Sequence, residues 1–367
     1  MHRGVPAHLS QPPFSFLAAC MARPGALCRV NTPISPRRTL NNMGSSKRPS
    51  VTAEELSSWC SERLGAPVRA VLFESGYSSA VFGVVLLDGR HLVVKVRAWH
   101  ERLMSCWQVQ QHLWESGFRC PEPLGPPHKV RGFAVSFENY VAGGKKLQRG
   151  RSSSARLARV LAQLVQTAPP PAAVGPLEPE LGFLRWAHSA EAVWPPATDV
   201  TADLNRFSEP AWIEEYASWL RAQLTSVTLP AVVGHGDWWS ENVRWRNGEL
   251  LAVDDWDSLV ALPEPAIAGV AAALFADGAS TIEESAIFMD SYVAASNRPW
   301  SGEEIRIASA SGLWARLFDA RKETTWGAIG LAAQLHTEVK ERALRSGLIT
   351  HRLGHDGTGL SQSRPGG

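Results

Sequence analysis

AVVGHGDWWSENVRWRNGELLAVDDWDSL, residues 231–259, is the stretch on which the reading of this 367-residue chain turns. Two short apolar runs, 231–233 and 250–253, have the aliphatic content of strands and flank a polar loop. A third run, 243–245, alternates with Arg244 pointing outward, and Asn247-Gly248 closes it as a hairpin turn. Asp237, Asn242 and Asp255 can therefore converge on one small volume. The pattern reads as a polar loop, a hairpin, and a metal-binding acid at the hairpin's far end.

Composition sets the frame around that stretch. A 44% hydrophobic fraction over 367 residues is enough for two lobes with real cores. The longest apolar run, 266–276, is broken by Gly269 and falls well short of the ~20 residues that a membrane span needs, so no membrane partner is expected. Five cysteines, Cys20, Cys28, Cys60, Cys106 and Cys120, lack paired metal-ligand spacing and are odd in number. They support neither a disulfide framework nor a zinc site, which suits a cytoplasmic protein. Residues 1–50 hold seven basic residues and no acid, which leaves the remaining chain with 30 basic and 35 acidic residues. A mildly acidic body argues against nucleic acid as partner and suits a cationic small molecule. The basic tail, 1–50, and the end of the chain, 351–367, carry no sustained periodicity and are expected to be disordered. Leu17-Ala18-Ala19-Cys20 looks like a lipoprotein cleavage box, but the preceding stretch is interrupted by Pro12 and Pro13, and Met43 is an alternative start.

Order begins at Thr52-Ala53-Glu54-Glu55, a capping box that opens a helix closed by Gly65. Strands at 68–73, 81–87 and 91–96 follow as an antiparallel meander, with Asp88-Gly89 as one turn. Between the first two lies Ser75-Gly76-Tyr77-Ser78-Ser79, and Lys95 falls in the third. Alone, each has an ordinary explanation as a hairpin loop or a solvated lysine. Together they match what a kinase needs: backbone amides and hydroxyls of Ser75, Gly76, Ser78 and Ser79 over phosphates, and a lysine to neutralise their charge. A helix is expected over 101–116 and a strand over 133–140, followed by Ala142-Gly143-Gly144. That segment is either an ordinary interdomain linker or a hinge whose backbone at 138–141, including Glu138 and Tyr140, would hydrogen-bond an adenine. From 152 onward the chain turns helical, with a Pro-rich excursion at 168–200. Further helices are expected at 208–224, after the capping boxes at Thr281 and Ser301, and over about 325–344.

HGDWWSENV followed by AVDDWD resembles the aminoglycoside phosphotransferase and choline kinase superfamily. That pattern has H-G-D, an Asn five residues after the Asp, and a hydrophobic-D-W element 13 residues after the Asn, which Asp237, Asn242 and Asp255 match. SGYSSAVFGV, VVKV and SGFRCPEPLG resemble the nucleotide loop, the lysine strand and the end of the first-lobe helix, so the similarity spans roughly residues 66–345. The resemblance implies an α+β, two-lobed, protein-kinase-like fold with a nucleotide-binding N-lobe at 51–142 and a helical C-lobe at 143–350. It implies ATP, with GTP as the alternative, as phosphoryl donor, Mg²⁺ held by Asn242 and Asp255, Lys95 on the α- and β-phosphates, and a small-molecule hydroxyl as acceptor. Asp237 would orient that hydroxyl and take its proton, and His235 would brace the loop rather than do chemistry. In a strand, Asp254 would face away from Asp255 and Asp257 would be its nearer neighbour.

Two departures stand out. The family usually pairs the strand lysine with a Glu on the first-lobe helix, and here Gln108 is the nearest polar residue to the expected place. Trp238-Trp239 stands where smaller residues are commoner, either packing the loop or lining the acceptor pocket. A catalytically impaired nucleotide-binding scaffold therefore remains an alternative, as does a metal-dependent hydrolase using His235, Asp237, Asp255 and Asp257. Acids at Glu178, Glu180, Glu191, Asp199, Glu214, Glu215, Glu283 and Glu284 could meet a polycationic acceptor or be ordinary surface charge. Neither the acceptor nor the oligomeric state is legible.

Overall fold

The computed structural model describes residues 48–76, 78–178, 181–195, 203–206, 209–276, 280–345 and 347–348. Residues 1–47 of the tail expected at 1–50, with Met43 and the Leu17–Cys20 box, and the tail expected at 351–367 lie outside these residues, as do Tyr77, Glu180 and Asp199.

Helix α1 (Ala53–Leu64) starts where its sequence says it should: Glu55 N donates to Thr52 Oγ1 at 3.2 Å and Thr52 N to Glu55 Oε2 at 3.0 Å. It ends at Gly65, whose φ of 77° is the left-handed cap that glycine adopts freely. Strands β1 (Val68–Ser75), β2 (Ala80–Leu86), β3 (His91–Ala98), β4 (His128–Val130) and β5 (Phe133–Asn139) form one antiparallel sheet in the order β1-β2-β3-β5-β4. Side chains alternate across it. Leu92, Val94 and Val96 share a buried core with Leu56 and Cys60 of α1, whereas Val93, Lys95 and Arg97 point to the opposite face. That alternation aims the lysine at the helical half of the molecule. Gly83 is required on that face: it pairs with Phe73, and a Cβ there would lie 2.1 Å from the Phe73 ring.

Helix α2 (Arg102–Glu115) links the two halves, since Cys106, Val109 and Leu113 pack into the larger second core. That core is helical: α3 (Arg151–Thr167), α4 (Ala211–Thr225), α5 (Glu264–Leu274), α6 (Ile282–Ala295), α7 (Gly302–Thr324) and α8 (Gly330–Arg345). The apolar run around Gly269 is α5, buried from Pro265 to Leu274. A Cβ at Gly269 would fall 1.8 Å from the Ala308 carbonyl oxygen of α7, so glycine lets the two backbones touch. Among the described residues no helix is long and apolar enough to cross a membrane. The expected final helix starts later than its sequence suggested, at Gly330, because Gly327 at φ 75° interrupts the chain. Residues 181–195 are irregular but not loose: Trp194 is fully buried, and Arg221 donates to the carbonyls of Trp186, His188, Ala190 and Ala192.

The acids considered for a polycationic acceptor are partly spoken for internally. Glu214 pairs with Arg321, Glu283 with Arg151, and Glu284 with Arg149. Glu284 also completes the capping box of α6 with Thr281. The Arg149 hydrogen bonds, helped by the Thr281 amide, hold its carboxyl below the ordinary glutamate range despite burial. A depressed carboxylate stabilises the native state above about pH 4.3 and loses that contribution as pH falls through its lowered value. Glu284→Gln, which can still close the capping box, should therefore cost at most about 1 kcal/mol at pH 7, because Arg149 is half exposed and its pair is screened. Urea midpoints of variant and parent should converge toward pH 3; an unchanged gap at both pH values would contradict the charge account.

Candidate active site

Strand β6 (Ala231–His235) delivers the loop 236–242, and it pairs with β9 (Leu259–Pro263), a strand the sequence reading did not assign. His235 at its end is 1% exposed, and its Nε2 lies 3.2 Å from the Asp254 carbonyl oxygen. Burial, outweighing the nearby Asp255 and Asp237 carboxylates, pushes its pKa down, so a neutral imidazole donates from Nε2. Trp238 and Trp256 meet it edge-on at 5.6 and 6.1 Å. The Nε2 contact ties the end of β6 to the end of the hairpin.

The short turn Ser240–Asn242 leads into the hairpin β7 (Val243–Arg246) and β8 (Glu249–Val253). Asn242 Nδ2 donates to the Asp237 carbonyl at 2.9 Å, which leaves its Oδ1 as the atom available to a cation. The Asp254 amide donates to the Asn242 carbonyl at 2.8 Å, tying the two ends of the motif together. Asp255 then sits in the left-handed region, φ 68° and ψ 48°, with Ser258 Oγ donating to its Oδ2 at 2.9 Å. Burial opposes its charge, but the fields of Lys95 and Arg97 and the Ser258 hydroxyl keep it below the usual carboxylate range.

That left-handed turn corrects one expectation. Asp254 does not face away from the site: β8 ends at Val253, so strand alternation no longer applies, and Asp254 lines the same cleft as Asp255. There it binds Arg244 through Nε–Oδ2 and through Nη2–Oδ1 at 3.0 Å. Arg244 in turn is not an outward solvated residue; its Nη1 donates to the Val141 and Gly143 carbonyls at 2.6 and 2.7 Å. Asp257 pairs with Arg97 of β3, whose charge also reaches Asp255, while Arg102 of α2 donates to the Asp257 carbonyl at 2.6 Å and to that of Leu259.

The lysine strand brings the second correction. Gln108 is exposed and does not replace the helix glutamate. Lys95 Nζ instead lies 3.1 Å from Glu138 Oε1 on the neighbouring strand β5, where Val93 pairs with Glu138 and Lys95 with Ser136. The helix contributes Gln110, whose Nε2 donates to Glu138 Oε2 at 3.2 Å and to the Pro121 carbonyl at 3.0 Å. Glu138, expected to serve through its backbone, is engaged here through its side chain.

These walls enclose one cleft of about 500 Å³. It is lined by Ser75, Gly76, Ser78, Ser79, Lys95, Glu138, Tyr140, Asp237, Asn242 and Asp255, so the residues singled out from sequence come together in space. Trp239 joins them, while Trp238 is buried in the core beside His235. Among the described residues no group of three or more His, Cys, Asp or Glu forms a metal-binding cluster. One amide oxygen and one carboxylate do fit Mg²⁺, a hard cation that completes its shell with water and phosphate oxygens. Of the further residues a hydrolase centre would need, His235 Nε2 is engaged with the Asp254 carbonyl and Asp257 Oδ2 with Arg97.

Arg97, Arg102, Arg244 and Gln110 were missed by the sequence reading. Arg97 had a signal, two residues past Lys95 and hence on the same face; the others depend on contacts across more than a hundred residues or on a neighbouring strand.

A family model described as the phosphotransferase enzyme family matches residues 69–300. The chain belongs to that family. Its fold is that of solved kinase-like phosphotransferases. Spectinomycin phosphotransferase APH(9)-Ia, in complex with ADP and spectinomycin, superposes at a TM-score of 0.55 and 11% identity over 82% of this chain and 100% of that one. Amicoumacin kinase hAmiN, in complex with AMP-PNP and Ca²⁺, gives 0.54 and 11% over 75% and 88%. A thermostable mutant of aminoglycoside phosphotransferase APH(4)-Ia, in a ternary complex with ADP and hygromycin B, gives 0.53 and 16% over 80% and 99%. No curated protein matches the chain.

Proposed function

We propose that this protein is an ATP- or GTP-dependent kinase that transfers a γ-phosphoryl group to the hydroxyl of a small molecule. The observation that carries the reading is the meeting of Asp237, Asn242, Asp255 and Lys95 on the walls of one cleft between sheet and helices. Phosphoryl transfer needs positioning and charge stabilisation more than covalent chemistry, and each residue supplies one of these. Ser75, Gly76, Ser78 and Ser79 cover the phosphates, Lys95 contacts the α- and β-phosphates, and Tyr140 and the Glu138 backbone stand at the hinge. Asn242 and Asp255 hold Mg²⁺, which when bound neutralises charge on the nucleotide phosphates. Asp237 orients the acceptor hydroxyl and accepts its proton. The nucleotide-binding lobe spans 51–142 and the acceptor-binding lobe 143–350, and the cytoplasm supplies the nucleotide and Mg²⁺.

The scaffold reading rested on a missing partner for Lys95, and Glu138 supplies that partner. Because the relatives' complexes hold spectinomycin and hygromycin B, those antibiotics are the first acceptors to try, followed by choline, homoserine and amino sugars. The test measures ADP or GDP release from the purified full chain with Mg²⁺ and each acceptor, and the mass of the product. Acceptor-dependent release with a phosphorylated product is expected, absent in Asp237→Ala. No nucleotide consumption with any acceptor would favour the scaffold, and metal-dependent cleavage of an ester without nucleotide would favour the hydrolase.

A further inference from the structure

Resting on that nucleotide-binding reading, we propose that Arg244 is the platform on which the nucleobase stacks, meeting it with the flat face of the guanidinium rather than with N–H groups. A guanidinium has five N–H donors, all lying in its plane. In Arg244 four are engaged: Nε and Nη2 with the two oxygens of Asp254, and Nη1 with the carbonyls of Val141 and Gly143. These partners come from β8's end on one side and from the hinge on the other, so they fix the plane as well as the position. What such a group still offers a ligand is its face.

Arg244 borders the cleft. Arg244 and Asp254 line it from the helical half, and Val81 and Val93 line it from the sheet. The two valines are half-buried members of the sheet face that points away from the α1 core, on the same side as Lys95. Tyr140, in contact with Phe73 at 5.8 Å between ring centroids, borders the same end. A slot with an aliphatic roof and a guanidinium floor suits a flat aromatic heterocycle, because arginine stacks on π-systems and is less strongly hydrated than an ammonium. Asp254 neutralises the floor, so the slot attracts a ring rather than an anion. With four N–H groups engaged and the fifth in the same plane, a ring stacked on the face meets no donor, and adenine and guanine are accepted alike at this contact. The hairpin pairing supports the arrangement, since the Lys145 and Trp245 backbones exchange hydrogen bonds at 2.9 and 2.8 Å and hold the hinge against β7.

The experiment is a calorimetric titration of the full chain with ATP, GTP and tripolyphosphate, each with Mg²⁺. Arg244→Ala should weaken ATP and GTP about tenfold and leave tripolyphosphate unchanged. Arg244→Lys, which retains the charge and can still pair with Asp254, should fail as badly because it has no plane. Should the alanine variant not fold, Arg244→Gln, a shorter planar group, gives an intermediate loss confined to the two nucleotides. Full nucleotide affinity in Arg244→Lys would overturn the platform in favour of a simple ion pair. An equal loss for tripolyphosphate would overturn it in favour of hinge collapse. A parent protein that binds tripolyphosphate but neither nucleotide overturns the platform alone, whereas one that binds none of the three overturns the phosphotransferase reading beneath it.

Discussion

Asp237→Ala should lower turnover by about 10³-fold while the nucleotide Kd moves little, because a positioned general base contributes roughly 10²–10⁴ to such a reaction. The Asp237 carbonyl already fixes Asn242 through a 2.9 Å hydrogen bond, and that backbone contact survives side-chain truncation. The loss should therefore be chemical rather than architectural. Asp237→Asn retains size and the loop but has no basic oxygen pair, so it should fall almost as far. Asp255→Asn separates the two roles: it should weaken the dependence on Mg²⁺, and raising Mg²⁺ should recover part of its activity but none of that of Asp237→Ala. Single-turnover rates across a Mg²⁺ series decide the matter. Equal Mg²⁺ rescue of both variants would remove Asp237 from the proton-transfer role and make it a metal ligand.

Glu138→Gln should have the second largest effect. Lys95 and Glu138 have side chains only 12% and 9% exposed, and breaking a buried pair from one side leaves an uncompensated charge that costs about 3 kcal/mol. Stability and nucleotide affinity should fall together, since the same lysine is the one proposed to contact the phosphates. Gln110 allows a sharper check. Its side chain already touches Glu138 Oε2 at 3.2 Å, so Gln110→Glu added to Glu138→Gln moves the carboxylate from β5 to α2 without adding charge. The double variant should regain much of both losses. Urea unfolding without nucleotide reads the pair itself, and ATP titration reads its use. A Glu138→Gln protein with the parent's midpoint and affinity would show that Lys95 needs no partner.

The structural reason for this arrangement lies in the sheet. A carboxylate on a helix moves with the helix, whereas Glu138 and Lys95 sit on adjacent hydrogen-bonded strands whose register is fixed by seven paired positions. Counting along the helix found Gln108, because helical spacing was the only ruler available in one dimension. Strand β5 lies about forty residues away in sequence and only one strand away in space.

Much else was legible. The three capping boxes at Thr52, Thr281 and Ser301 all open helices, since capping is decided within four residues. Four of the five strands of the first sheet, all but β4, and the hairpin at Asn247-Gly248 were readable from alternation and turn chemistry for the same local reason. The spacing of Asp237, Asn242 and Asp255 specified the family because a loop and a hairpin of fixed length can return the chain to one place. By itself the sequence determined most of the elements, though not β4 or β9, the two-lobed class and the residues that gather in the cleft. Tertiary structure alone decided how those residues are held: that Lys95 pairs with Glu138, that Asp254 turns inward once Asp255 leaves the strand, and that Arg244 locks the hinge to the hairpin. Each of these is a contact between polar groups far apart in sequence. Charge and hydrogen-bonding capacity say that such a group needs a partner, but only packing says which one it meets.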